Sequence, residues 1–359
     1  MILVINAGSS NVKFALFEPE NLNLIFKAQV STIQEVFKWL NKNSNDYLIT
    51  AVGHRVVHGG MKLFKPILVN NRNLQQLKDL IPLAPLHQPH NVAAIETCLK
   101  NYPAIPQVAC FDTAFHRTQH ELAKLFAIPK FLSNEGIIRY GFHGLSYEYI
   151  ASIMQTEIGS LSSQKVIVAH LGNGASMCAM QNGKSIATTM GFSVLDGLMM
   201  GTRCGSIDPG VLLYLMQQKN YSVEQISELL YYKSGLLGVS GLSNDVKKLL
   251  EYDNVDSRHA IDLFCYRAAC EFSNMQMALA GCNALIFTGG IGEYAPVVRS
   301  KICEYLQWLN VRINHQDNNQ NSRVISSNTS SILVAVIPTC EELVIAQHVK
   351  ALTDYSNGT

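Results

Sequence analysis

Charge is scarce in this sequence and evenly split. Only 15% of its 359 residues are Asp, Glu, Lys or Arg, and 28 basic against 27 acidic side chains leave a formal net charge of +1. A chain so balanced projects no general field toward nucleic acid or an anionic membrane, so any basic residue that matters acts locally. None of the nine cysteines forms a CxxC pair, and most lie inside apolar runs. That usage fits small buried core residues in a reducing compartment, and the expected location is the cytoplasm. No basic region precedes a leader-like apolar stretch, so no export signal is expected. The most apolar helical segment, from Ala260, contains Asp262, Arg267 and Glu271. Those charges are costly at a bilayer centre, and the segment reads as a core helix. His87 with His90 and His116 with His120 have zinc-like spacings, but HRTQH lacks the Glu of HExxH and no third ligand accompanies it. No fixed-period repeat is present.

What is abundant is apolar: 48% of the chain is hydrophobic. At this length one core is too small and two domains are expected. Short apolar strands alternate with amphipathic helical patterns, as in α/β proteins with mixed sheets. Strands are expected at 2–5, 12–17, 108–111, 165–171, 284–288 and 332–337, and helices near 33–41, 91–100, 146–158, 223–231 and 260–279. The N-terminal ILVINAGSSNVKFALF reads as strand, turn and strand. Its turn matches neither GxxxxGK[ST] nor GxGxxG, yet Gly and Ser there can present N–H and hydroxyl groups to an anion, with Lys13 adding charge. Taken alone, the stretch fits a plain hairpin better. Residues 165–188, KVIVAHLGNGASMCAMQNGKSIAT, echo this arrangement at the start of the second half. Two such units suggest duplicated domains facing a cleft. A third glycine turn, FTGGIGEYA from Phe287, follows another buried strand. The polar run from Asn314 to Ser331 reads as a surface loop, and the tail after Thr353 as frayed.

Several charged groups sit where they bear on function. Arg55 ends a strand beside Gly59 and Gly60, a place suited to an anion, although pairing with a structural carboxylate is the plain alternative. Asp112 follows the apolar VACF, at the strand end where open α/β sheets place ligands. His143 precedes a helix and could donate to a phosphoryl oxygen or be a satisfied structural histidine. Arg203 lies in the glycine-punctuated MGTRCGSIDPG. Two guanidinium groups from opposite halves of the chain would suit phosphoryl transfer, in which charge spreads over the equatorial oxygens. Glu341 or Glu342 could bind a hard cation through oxygen.

The ordered series NAGSSNVKFALF, GHRVVHGG, PLHQPHN, FDTAFH, RYGFHG, HLGNGAS, GLMMGTRCGSIDPG, FTGGIGE and IPTCEELVIA, across nearly the whole chain, closely resembles the acetate kinases. The resemblance implies an α/β fold of two ribonuclease-H-like domains, of the sugar kinase/Hsp70/actin superfamily, around a nucleotide cleft. It implies domains of 1–114 plus 343–359, with a returning C-terminal helix, and 115–342, which carries the nucleotide site and the dimer contact of a homodimer. The implied reaction is ATP plus acetate giving acetyl phosphate and ADP by direct in-line transfer with Mg²⁺, Mn²⁺ being a substitute. The implied partners are these small molecules, with no nucleic acid and no membrane.

By the same resemblance, Arg55 orients the acyl carboxylate, Arg203 and His143 stabilise the phosphoryl group in flight, and Asn6, Asp112 and Glu341 position the metal. His87 lines the site, and Val57, Leu86, Phe142 and Val194 form the methyl pocket. Ser9, Lys13, His170, Leu171, Gly172, Asn173 and Gly174 attend the phosphates. Asp245, Val246 and Lys247, with Gly289, Gly290, Ile291, Gly292 and Glu293, flank the nucleoside. A carboxylate acceptor is already ionised and needs no general base, which leaves Asp112 as a metal organiser.

The chain departs from the family pattern at Asn11, Leu145, Tyr147, Lys247 and Tyr294, in a shorter segment between Phe17 and Gly53, and at Val194, which stands where a pocket proline is usual. Alternatives are a propionate kinase of the same family, since one methylene is worth only about 1 to 3 kcal/mol in an apolar pocket, or a non-catalytic actin- or Hsp70-like ATPase. The last would leave Arg55, His143 and Arg203 without a task.

Overall fold

The computed structural model describes residues 1–8, 11–252 and 254–356, the side chains of 355–356 excepted. The chain divides into two compact units. One comprises Met1–Arg117, Phe142–Tyr149 and Cys340–Thr359; the other comprises Thr118–Gly141 and Ile150–Thr339.

The first unit is built on β1 (Ile2–Ala7), β2 (Val12–Phe17), β3 (Leu24–Val30), β4 (Ala51–Val56), β5 (Ile67–Leu68) and β6 (Gln107–Phe111), in the order β3-β2-β1-β4-β6-β5. β1, β4 and β6 are parallel, while β2 runs antiparallel to β1, β3 to β2 and β5 to β6. Alternation along β1 sends successive side chains to opposite faces. Leu3 and Ile5 pack with Val36, Phe37 and Leu40 of the helix Ile33–Lys42 and with Ala94 and Cys98 of the helix Gln88–Asn101. Ile2 and Val4 pack with Val344, Ile345 and Val349 of the helix Glu341–Ser356. Ile2, Val4, Val344, Ile345 and Val349, each no more than 2% exposed, contribute about 1.5–3 kcal/mol apiece through lost apolar exposure. The helix lies close because β4 carries Gly53, where a Cβ would stand 2.5 Å from Ile345 Cγ2.

The second unit repeats the order. β7 (Lys165–Leu171), β8 (Ala175–Gln181), β9 (Lys184–Thr188), β10 (Ala284–Thr288) and β11 (Leu333–Val336) form a sheet of order β11-β10-β7-β8-β9. β7, β8 and β9 make the antiparallel meander, and β10 and β11 add in parallel on the other side of β7. The echo between residues 2–17 and 165–188 therefore belongs to a three-strand antiparallel meander that opens each sheet, β1 to β3 over 2–30 and β7 to β9 over 165–188. The helix Val255–Leu279 buries Phe264, Ala268 and Phe272 and is a core helix, as its charges required. Among the described residues no helix is long and apolar enough to cross a membrane.

Three features differ from expectation. β3 carries no buried residue: Phe26, Ala28 and Val30, alternating with Lys27 and Gln29, are only half-buried against the core, because it is an edge strand. The third glycine turn is the start of a helix, Gly289–Tyr294, entered through Gly289 at φ +77°. The polar run from Asn314 contains the helix His315–Asn319, and Asn318 within it is buried against Arg299.

Candidate active site

In the first unit, four of the residues singled out from the sequence come together. Arg55, at the end of β4, donates from Nε to Asp112 Oδ1 at 3.0 Å and from Nη2 to Asp112 Oδ2 at 2.6 Å. Its Nη1 reaches Asn6 Oδ1 at 3.4 Å and Glu341 Oε2 at 3.5 Å. The cluster forms because the C-terminal ends of parallel β1, β4 and β6 meet the start of the helix Glu341–Ser356. Burial acts to lower the Arg55 pKa, but the carboxylates of Asp112 and Glu341 outweigh it and hold the guanidinium above its ordinary value. Burial pushes the Asp112 carboxyl above its ordinary value, while the Arg55 guanidinium pulls against it through a bidentate contact that favours the charged pair. Lys13 is exposed on β2, directly across from Asn6. Ser9 lies outside the described residues.

The loop carrying His143 is tied to the same strand end. Gly144 N donates to Asp112 O at 2.9 Å, and buried His116 meets Phe142 O through Nε2 at 2.9 Å. His143 itself sits at φ +57°, a left-handed conformation costly for a residue with a Cβ and one that gathers at functional sites. Phe142 and Val57 are buried, Leu86 and His87 half-buried. Phe142 lies edge-on to His58 at 5.7 Å.

Sequence reading passed over two residues here. The HQPHN motif drew attention to His87 and His90, but its buried members are Gln88 and Asn91. Asn91 donates to Ala7 O at 2.8 Å and accepts from Val57 N at 3.0 Å, so it joins the ends of β1 and β4. Gln88 exchanges hydrogen bonds with the backbone of His58. The available signal was their spacing of three, which puts both on one face of the helix.

In the second unit, the glycine loops lie side by side at the C-terminal ends of parallel β7 and β10, where Thr288 pairs with His170. A Cβ at Gly289 would stand 2.8 Å from Leu171 O, and Gly172 N closes a turn on Gly174 O at 3.0 Å. Asn173 is exposed and reaches the neighbouring loop: Gly201 N donates to Asn173 O at 3.2 Å, and a Cβ on Gly201 would meet Asn173 Oδ1 at 2.4 Å and Asn244 O at 3.2 Å. Residues 170–174, 201, 244 and 289 thus form one surface whose glycines admit close backbone approach. Gly290 is exposed and Ile291 half-buried. Two of the expected nucleotide residues have other work. Asp245 Oδ1 accepts from Lys247 N at 2.8 Å, capping the helix Val246–Tyr252 in which Val246 is buried, and Glu293 Oε1 accepts from Gly289 N at 3.0 Å and Thr339 N at 3.2 Å. Arg203 is half-buried, with Nη1 donating to Val194 O at 3.1 Å.

The model of the acetokinase family matches residues 22–347. The chain belongs to the acetokinase family. Among its acetokinase relatives, the acetate kinase of Rhodopseudomonas palustris is 45% identical over 392 aligned positions, covering 99% of this chain and 98% of the relative. The crystal structure of a propionate kinase from Francisella tularensis superposes with a TM-score of 0.92 at 37% identity, covering 98% of this chain and 99% of that one. The Porphyromonas gingivalis acetate kinase gives 0.89 at 33% identity, with the same coverage. This acetokinase is thus an α/β protein with the fold of acetate and propionate kinases.

Proposed function

We propose that this chain is an acetate kinase, transferring the γ-phosphoryl group of ATP reversibly to acetate to give acetyl phosphate and ADP. The observation that carries the reading is the cluster of Asn6, Arg55, Asp112 and Glu341 within a chain that matches acetate kinases along its whole length. Asp112 engages Nε and Nη2 of Arg55 at short distance, whereas Nη1 makes only the longer contacts. Nη1 is the donor that receives the acceptor carboxylate, with Val57, Leu86 and Phe142 excluding water around the methyl group and His87 at the margin. One carboxylate oxygen forms the new bond to phosphorus as the bond from phosphorus to the β,γ-bridging oxygen breaks, and ADP leaves with that electron pair. No proton need be removed.

Arg203 and His143 balance the charge that spreads over the phosphoryl oxygens. Val194, whose carbonyl holds Arg203, limits the acyl chain. The loops at 170–174 and 289–293, with 245–247 and Lys13, bind the nucleotide.

Among the described residues no group of three or more His, Cys, Asp or Glu is placed to hold a metal. The oxygens of Asn6, Asp112 and Glu341 nonetheless converge on one positive charge, and an amide with two carboxylates is a hard donor set suited to Mg²⁺ completed by water. When bound, the ion neutralises phosphate charge. The chain acts as a homodimer in the cytoplasm; nine free thiols support that location, and an exposed apolar helix, Pro209–Gln218, supports the dimer.

The test is ATP with acetate, propionate or butyrate in the presence of hydroxylamine, which traps an acyl phosphate as a coloured hydroxamate. Acetate-dependent hydroxamate with the highest kcat/KM for acetate is expected. Absence of product with all three acids removes the kinase reading, and a higher kcat/KM for propionate replaces acetate as the substrate.

A further inference from the structure

Arg299 is the largest side chain without solvent exposure among the described residues, and no carboxylate among them pairs with it. Its five N–H groups all reach neutral oxygens. Nε donates to Asn318 Oδ1 at 2.8 Å, Nη1 to Gly292 O at 2.8 Å and Glu293 O at 2.9 Å, and Nη2 to Asn318 O and Asn321 Oδ1, both at 2.7 Å. The guanidinium is therefore saturated. Burial lowers its pKa to about 10, which leaves it charged at neutral pH. A buried cation without an anion is an expensive way to fill a core, and aliphatic side chains would fill it better. Its position gives the reason.

Gly292 and Glu293 end the six-residue helix Gly289–Tyr294, too short to hold itself together. A cation at its C-terminal carbonyls compensates the negative end of the helix dipole and stabilises it. The other end is held by Glu293 Oε1, which accepts from Gly289 N and Thr339 N. The segment is thus clamped from both sides by groups outside its own helical bonds.

We propose that Arg299, fixed by Asn318 and Asn321, is a positioning residue for the nucleotide: it sets the backbone of Gly289–Tyr294 in the shape that receives the nucleoside end of ATP or ADP. The polar segment from Asn314 to Asn321 thereby sets nucleotide affinity from behind the binding surface. This rests on the nucleotide reading of that segment given above.

The test is ADP binding to the full chain by calorimetry, with the KM for acetate and the Tm measured alongside, for Arg299→Lys and Asn321→Ala. Lysine keeps the charge but has three donors for five acceptors. Arg299→Lys is expected to raise the ADP Kd roughly tenfold, as loss of charged hydrogen bonds should, with the acetate KM within about twofold. Asn321 is exposed but sits at φ +53°, which alanine tolerates less well than asparagine, so Asn321→Ala should lower the Tm slightly and raise the ADP Kd by about threefold, from the loss of one bond to the guanidinium. It decides the matter if the lysine variant does not fold. An ADP Kd unchanged in Asn321→Ala, or ADP and acetate constants that worsen together as Tm falls, overturns the proposal. No ADP binding by the unaltered chain overturns the nucleotide reading itself and this proposal with it, a result seen before any variant is made.

Discussion

Three histidines in the first unit, His54, His58 and His116, are buried to 1% or less, and burial lowers each from 6.5 to about 4. His54 and His116 each have a neutral oxygen partner, Gln107 Oε1 at 2.8 Å and the Phe142 carbonyl at 2.9 Å. Between pH 4 and 6.5 the unfolded chain holds protons on these imidazoles and the folded chain does not, so stability rises with pH across that window. Their contribution is complete above the upper limit and is lost as pH falls through the lower one, at roughly 3 kcal/mol for each imidazole. Thermal melts from pH 7.5 downward should show a steep fall in Tm before the carboxylates begin to protonate. His54→Asn should make that fall shallower; an unchanged profile would mean that His54 titrates alike in both states. The same residue scale holds the main surprise of the site. Arg55 is engaged with Asp112 rather than open to solvent, so the structure shows the carboxylate pairing, and the proposed acceptor site has to use the remaining Nη1.

At the scale of the element, the helix Gly144–Ile158 and the strand β6 are fixed to each other by a residue without a side chain. A Cβ on Gly144 would stand 2.0 Å from Asp112 O and 3.1 Å from Phe115 Cβ, where no rotamer change can relieve it because the obstacle is backbone. Gly144→Ala should therefore cost several kcal/mol, about 2 to 4, the range of steric insults in well-packed regions. It should also lower acyl phosphate formation disproportionately, since His143 and Asp112 move together. Chemical denaturation and the hydroxamate assay measure the two effects. Gly290→Ala is the stability control: a Cβ there meets nothing within 4 Å, so its denaturation midpoint should stay near that of the unaltered chain. The helix Gly289–Tyr294 shows the opposite economy, a short element held by Arg299 and Glu293 rather than by its own length.

At the scale of the whole molecule, the helix Pro209–Gln218 has no buried residue, and Val211, Leu213, Tyr214 and Met216 are 41 to 55% exposed. A run of large apolar side chains on one surface helix suits an interface, and under the proposed homodimer its partner is a second copy of the chain. Leu213→Glu should convert the dimer to monomer in sedimentation velocity at micromolar concentration. A variant that sediments as the unaltered chain does would place the contact elsewhere. The order β3-β2-β1-β4-β6 of the first sheet matches β9-β8-β7-β10-β11 of the second, so the two units share one architecture, with β5 added to the first.

The sequence by itself determined the strands at 12–17, 165–171 and 284–288, the core nature of the helix expected at 260–279 and the paired strand-turn-strand units, because alternation and apolar runs record burial locally. It also marked Arg55, Asp112, His143 and Arg203, since charge beside glycine at a strand end has few structural uses. Tertiary structure alone decided which of these meet. The Arg55–Asp112 contact joins residues far apart in sequence through the parallel register of β4 and β6. It also decided that β3 is an edge strand, that Gln88 and Asn91 rather than the neighbouring histidines are buried, and that Asn318 reaches Arg299. Those outcomes depend on what lies across the sheet or behind the helix, and a local pattern of residue types carries no record of it.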